Sequence, residues 1–156
     1  MSSAQTAIEA IRKSLVVNCS PERAFEVFTE IGSWWPVHTH SISVMDDGTE
    51  PPETAVMEPG VGGRLYERTR DGKELSWGKV LAWEPPSRLV IEWKVNPDAV
   101  APTEIEVRFA PEGDGTRVEL EHRGWERLGE AALESRTSYE GGWNGVLAGY
   151  EAAANA

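Results

Sequence analysis

TEIEVRFAPEGDGTRVELEHR, residues 103–123, alternates apolar and charged side chains on both sides of a short polar run. Ile105, Val107 and Phe109 fall on one side of an extended chain, and Val118, Leu120 and His122 do so again after Pro-Glu-Gly-Asp-Gly at 111–115 reverses direction. Glu104, Glu106, Arg108, Glu119 and Glu121 take the other side. Two strands with one apolar and one charged face make a hairpin of an antiparallel sheet that is covered on a single side. With Glu92, the glutamates at 104, 106, 119 and 121 then read as solubilising charge on a wet face.

The pattern extends upstream. RLVIEWKV at 88–95 sets Leu89, Ile91, Trp93 and Val95 on one face. Gly62 and Gly63 precede RLYERT, and a turn at Asp71 and Gly72 leads into ELSWGKVLAW, which Pro85 and Pro86 end. From about Thr54 this is a meander of five or six strands. Residues 75–83 are ambiguous: Leu75, Trp77, Leu81 and Trp83 alternate with Ser76, Gly78, Val80 and Ala82, and either set suits the inside. A first strand runs over about 11–18, with Leu15 and Val17 on one face. Ser20 and Pro21 open a short amphipathic helix carrying Phe25, Phe28 and Ile31, and Gly32 ends it. At the far end, Tyr139, Trp143, Val146, Leu147 and Tyr150 form a helical stripe within about 130–153. Gly141, Gly142, Gly145 and Gly149 lie inside that helix and together cost about 3–4 kcal/mol against alanine. Gly141, Gly145 and Gly149 are spaced as a smooth track for close approach to the sheet or for a guest; a break near Gly141 and Gly142 is the alternative.

Composition narrows the function. A chain of 156 residues buries roughly 68–70% of its unfolded surface, enough for a core without staples. A lone Cys19 fits a reducing compartment, and with neither a leader-like start nor a run of about 18 apolar residues the expectation is a cytoplasmic protein. The formal charge of −11 repels phosphate, and Glu67 and Asp71 interrupt the nearest basic cluster, Arg64, Arg68 and Arg70. Neither nucleic acid nor a membrane surface is expected as partner.

Taken together, AFEVFTEIGSWWP, MEPGVGGRLYERTRDG, WGKVLAWEPPSRLVIEW, TEIEVRFAPEGDGTRVELEHRGW and YEGGWNGVL closely resemble the bacterial branch of the family named after the activator of heat-shock protein 90 ATPase, in the START-like superfamily. The resemblance covers roughly residues 11–150. It implies an α+β helix-grip fold: a curved antiparallel sheet of about six or seven strands around a long C-terminal helix, with two short helices after the first strand. One domain spans 1–156, its core about 11–153. The chaperone activity is not expected here, because the co-chaperones join this domain to an additional N-terminal one. Relatives include ligand carriers, receptors and polyketide cyclases, so fold alone does not assign activity. The resemblance further implies a cavity between sheet and helix that accepts an apolar or aromatic small molecule, with no cofactor.

Trp35, Trp77, Trp93, Phe109, Tyr139 and Trp143 are the expected walls of that cavity, and His122 its polar anchor. Core packing alone also explains Trp93 and Trp143, facing each other across sheet and helix, and Trp125 reads as a packing anchor. For His122 the ordinary alternative is a buried imidazole satisfied by its neighbours. Glu67 shares a face with Leu65 and Thr69; pointing inward it becomes an acid or an anchor, although an exposed ion pair is the commoner fate of a carboxylate. His38 and His40 in WWPVHTH have a metal-like spacing but need a third ligand, such as Asp46, Glu58 or His122, so an apolar lip with solvated histidines is expected and no metal. Three functions follow: binding of a small hydrophobic or aromatic ligand; a cyclase- or hydrolase-type enzyme using His122 or Glu67 in the same cavity; and a stress or chaperone-accessory interaction module using an exposed apolar patch at Trp34 and Pro36. A homodimer is compatible with each.

Overall fold

The computed structural model describes residues 8–36, 52–95 and 99–156. His38, His40 and Asp46 lie outside them. Strand β1 (Ile11–Val17) leads to helix α1 (Pro21–Thr29) and one 3-10 turn (Ile31–Ser33). The strands β2 (Thr54–Met57), β3 (Arg64–Arg68), β4 (Glu74–Glu84), β5 (Arg88–Trp93), β6 (Thr103–Glu112) and β7 (Gly115–Arg123) follow. A 3-10 segment (Trp125–Ala131) then runs into the long helix α2 (Ala132–Ala154). All neighbours in the seven-stranded sheet are antiparallel, in the order β1-β7-β6-β5-β4-β3-β2. This is the helix-grip arrangement.

Helix α1 begins where the residues require it: the Ser20 side chain accepts from the Arg23 N–H at 3.1 Å, and Pro21 occupies the first turn. It buries Phe25 and Phe28, whose rings meet Phe109 of β6 edge-on at 5.3 and 6.0 Å. Helix α2 is tied to α1 by the Tyr150 hydroxyl, which donates to the Ala24 carbonyl at 2.9 Å, and to β1 by the Lys13–Glu140 ion pair at 2.7 Å.

The register places Leu89 opposite Val107, Ile91 opposite Ile105, and Ile105 opposite His122, all on the inner face. The ambiguous strand resolves through two irregularities. Trp77 is the extra residue where Leu65 pairs with Gly78 and Tyr66 with Ser76, and Leu81 is the extra residue where Val80 pairs with Ile91 and Ala82 with Val90. Each bulge advances the phase by one residue. Trp77 and Val80 are buried, Trp83 packs its ring against Phe25, and Leu81 is turned outward. Gly78 makes the first bulge feasible, since a Cβ there would sit 1.8 Å from the Glu92 carbonyl oxygen.

Several expectations change. Glu106 is on the outer face but is not solvated: it is 4% exposed beneath Arg88, Arg108 and Arg123, with contacts of 2.7, 2.8 and 2.6 Å. Burial pushes its carboxyl up, and the arginines outweigh that to hold it at about 2. Helix α2 is unbroken, and among the described residues nothing comes within 4 Å of a Cβ built on Gly141 or Gly145. Both face outward, so no track of three glycines faces the sheet; only Gly149 packs, 3.0 Å from the Trp34 carbonyl oxygen. Trp34 is buried with its indole N–H on the Val27 carbonyl at 2.8 Å, and therefore supplies no exposed patch. No helix of the described residues is long and apolar enough to cross a membrane.

Candidate functional site

Glu67 is the residue whose placement departs furthest from its ordinary expectation. In β3 it follows Leu65 onto the inner face and is 0% exposed, which overturns the exposed ion pair. The Trp77 indole N–H donates to its carboxylate at 2.7 Å. The bulge in β4 is what aims that indole inward toward the neighbouring strand, a common use of bulges beside functional sites. Trp35 lies over Trp77 and Trp93, with ring centroids 5.2 and 5.6 Å away, and Trp77 and Trp93 meet at 5.5 Å. One carboxylate is thus set in a wall of three indoles.

Trp93 carries this wall to a second polar group. Its indole N–H donates to the Tyr139 hydroxyl of α2 at 3.1 Å, and its ring lies 6.3 Å from Trp143. The Trp143 N–H in turn donates to His122 Nδ1 at 3.0 Å. An indole nitrogen cannot accept, so Nδ1 carries no hydrogen and Nε2 does. Nε2 then donates to Thr103 Oγ1 at 2.7 Å, leaving the Thr103 hydroxyl to donate to the Trp93 carbonyl at 3.3 Å. Both imidazole nitrogens are occupied by protein, and burial alone holds the His122 value down to about 3. His122 is a neutral strut that orients Trp143. The Trp125 N–H, on the His122 carbonyl at 2.8 Å, closes the network from the far side.

Between β5, the 3-10 segment and α2 opens a pocket of about 130 Å3, lined by Trp93, Val95, Trp125, Leu128, Ser135 and Tyr139 among others. Its size is close to the ~150 Å3 engineered apolar cavity that admits benzene.

The structure therefore brings together Trp35, Trp77, Trp93, Tyr139 and Trp143, with His122 behind them and Glu67 at one end. Phe109 sits apart, in the aromatic cluster under α1. Among the described residues no three His, Cys, Asp or Glu converge as metal ligands. Thr103 and Ser135 were absent from the expected site. The phase of Thr103 with Ile105, and the one-turn spacing of Ser135 from Tyr139, were signals for both.

A curled sheet closed on a C-terminal helix over an aromatic interior defines a START-like domain. The chain belongs to the family described as activator of Hsp90 ATPase homolog 1-like protein, which matches residues 18–154. It is similar to the anthrahydroquino-γ-pyrone synthase Txn09, solved as a complex: 38% identity over 94% of this chain and 97% of that one, with a TM-score of 0.62. The dimeric Aha1 of Colwellia psychrerythraea shares the fold at 19% identity, 95% and 97% coverage and a TM-score of 0.59. So does CalU16 of Micromonospora echinospora, at 22% identity, 91% and 70% coverage and a TM-score of 0.51. No curated protein matches the chain.

Proposed function

We propose that this protein binds a planar, oxygen-bearing aromatic molecule between the concave sheet and α2, and closes a ring in it by acid–base catalysis at Glu67. The observation that carries this reading is a carboxylate with none of its surface exposed, held by an indole N–H in a wall of aromatic rings. Similarity along nearly the full chain to a γ-pyrone synthase supports it. A γ-pyrone ring is closed by one carbon–oxygen bond. With a hydroxyaryl ynone, the Glu67 carboxylate takes the phenol proton as the oxygen adds to the β-carbon of the alkyne, and the resulting carboxylic acid returns that proton to the α-carbon. The reaction is an isomerisation and needs no oxidant, metal or cofactor. General acid–base catalysis of this kind contributes typically about 10²–10⁴ in rate. His122, with both nitrogens occupied, acts as a positioning residue in this scheme.

Incubation with a 1-hydroxyanthraquinone carrying an ynone side chain at C2 tests the reading, pyrone formation being followed by absorbance. The protein is expected to accelerate closure over buffer. Glu67→Gln, which keeps an acceptor for the Trp77 N–H, is expected to lower kcat by about a hundredfold or more with KM little changed. Equal closure by wild type and Glu67→Gln removes the catalytic role; tight binding without closure leaves a carrier of aromatic ligands. A homodimer, as in the Colwellia relative, is part of the proposal and is checked by sedimentation.

A further inference from the structure

The Tyr139 hydroxyl sits at the 130 Å3 pocket with half of its hydrogen-bonding capacity spent. Its oxygen accepts from the Trp93 indole, which has only a hydrogen to give. The phenol hydrogen must therefore point elsewhere, and among the described residues it has no acceptor. Burial pushes the Tyr139 ionisation up, so at neutral pH the group stays a donor. Ser135 lies one turn earlier on the same side of α2, lines the same pocket, and its hydroxyl has no partner among the described residues. Two donors one turn apart thus face a hollow of one-ring size that Trp93, Val95, Trp125 and Leu128 also line, with Lys94 and Thr103 among its other walls. Unmet donors at an apolar pocket set orientation and select a guest that supplies the acceptor.

We infer that this pocket is a recognition subsite for one ring of an aryl ketone or quinone, whose carbonyl oxygen accepts from Tyr139 and Ser135. The inference rests on the reading above that the interior takes an oxygen-bearing aromatic molecule. It adds the end of the substrate that is read and the residues that read it. Trp93 joins the two ends, meeting Trp77 at 5.5 Å on the Glu67 side and bonding Tyr139 on the other. A fused polycycle held by its carbonyl at α2 is thereby directed along the indole wall toward β3.

Titration of the full chain with 1-hydroxyanthraquinone and with anthracene, followed by tryptophan fluorescence, tests this. The two share a carbon frame and differ in the oxygens. Wild type is expected to prefer 1-hydroxyanthraquinone. Tyr139→Phe is expected to weaken that ligand about fivefold, and Ser135→Ala by about twofold or more, neither changing anthracene affinity. Gly141→Ala, on the outer side of α2, is expected to leave both affinities unaltered. Loss of both ligands in parallel in Tyr139→Phe, or of neither, overturns the subsite; so does a wild type that prefers anthracene or binds neither. Ring closure by wild type alongside an unchanged Tyr139→Phe affinity sinks the subsite alone. The selective loss without ring closure sinks the catalytic reading and leaves the subsite standing.

Discussion

Protonating His122 means placing a charge on a ring with no exposed surface, whose Nδ1 already accepts from Trp143. Its value in the folded chain, about 3, lies below the ordinary 6.5. Above pH 6.5 neither folded nor unfolded chain holds the proton. Between 6.5 and about 3 only the unfolded chain takes it, so stability falls with acid by about 1.4 kcal/mol per pH unit. Glu106 acts in the same direction lower down: its contribution is complete above 4.5 and is lost as the pH falls toward about 2. Urea midpoints measured from pH 7.5 to 5 are expected to drop, and His122→Gln to flatten that part of the curve. Glu106→Gln is expected to cost about 3 kcal/mol at pH 7, because it strips a buried charge from three arginines. A change within error of zero in that denaturation experiment would mean the arginines are solvated without it. Strand phase alone placed His122 and Glu106 on their correct faces, while for Glu67 it gave only a shared face with Leu65 and Thr69, and an exposed ion pair was the expectation that burial overturned. What it left out was their surroundings: that Glu106 lies under guanidinium groups from β5, β6 and β7, and that Glu67 has an indole from the next strand waiting for it, are properties of pairing between strands.

Helix α2 carries a cost on its outer side with no visible return. The same 100° per residue that turns Tyr139 and Trp143 inward turns Gly141 and Gly145 to the opposite side, so the outward placement was legible in the helical arithmetic once the stripe was fixed. Gly141→Ala and Gly145→Ala are each expected to stabilise the fold by about 0.8–1 kcal/mol, and together to raise Tm by a few degrees. Gly149→Ala is expected to lower Tm, since its new methyl group meets the Trp34 backbone at 3.0 Å. Strand β4 is the converse case. Its alternation could not choose a face because no single phase holds along it: the bulges at Trp77 and Leu81 let residues 77, 80 and 83 all reach the inside. Gly78→Ala is expected to be the most damaging glycine substitution of the set, since a Cβ there would collide with the Glu92 carbonyl. If its unfolding midpoint matches that of wild type, the bulge is not fixed as described.

Across the whole molecule, the antiparallel meander and the helical stripe were legible because each is a local pattern repeated many times, whereas the wrapping of the sheet around the helix was implied by the family resemblance and the strand order came only from the structure. The aromatic interior was legible as a composition of seven tryptophans, but not as a chain of contacts from Glu67 through Trp77 and Trp93 to Tyr139. That chain joins a buried carboxylate at one end to the Tyr139 hydroxyl at the 130 Å3 pocket at the other, through the buried rings of Trp77 and Trp93. The most direct test is an amide and indole NMR spectrum of the labelled protein titrated with 1-hydroxyanthraquinone. The Nε1–H signals of Trp77 and Trp93 are expected to move together and saturate, while that of Trp83, packed on Phe25 away from this wall, stays in place. Movement of Trp83 alone, or a spectrum in which no indole signal responds, rules out binding along the indole wall.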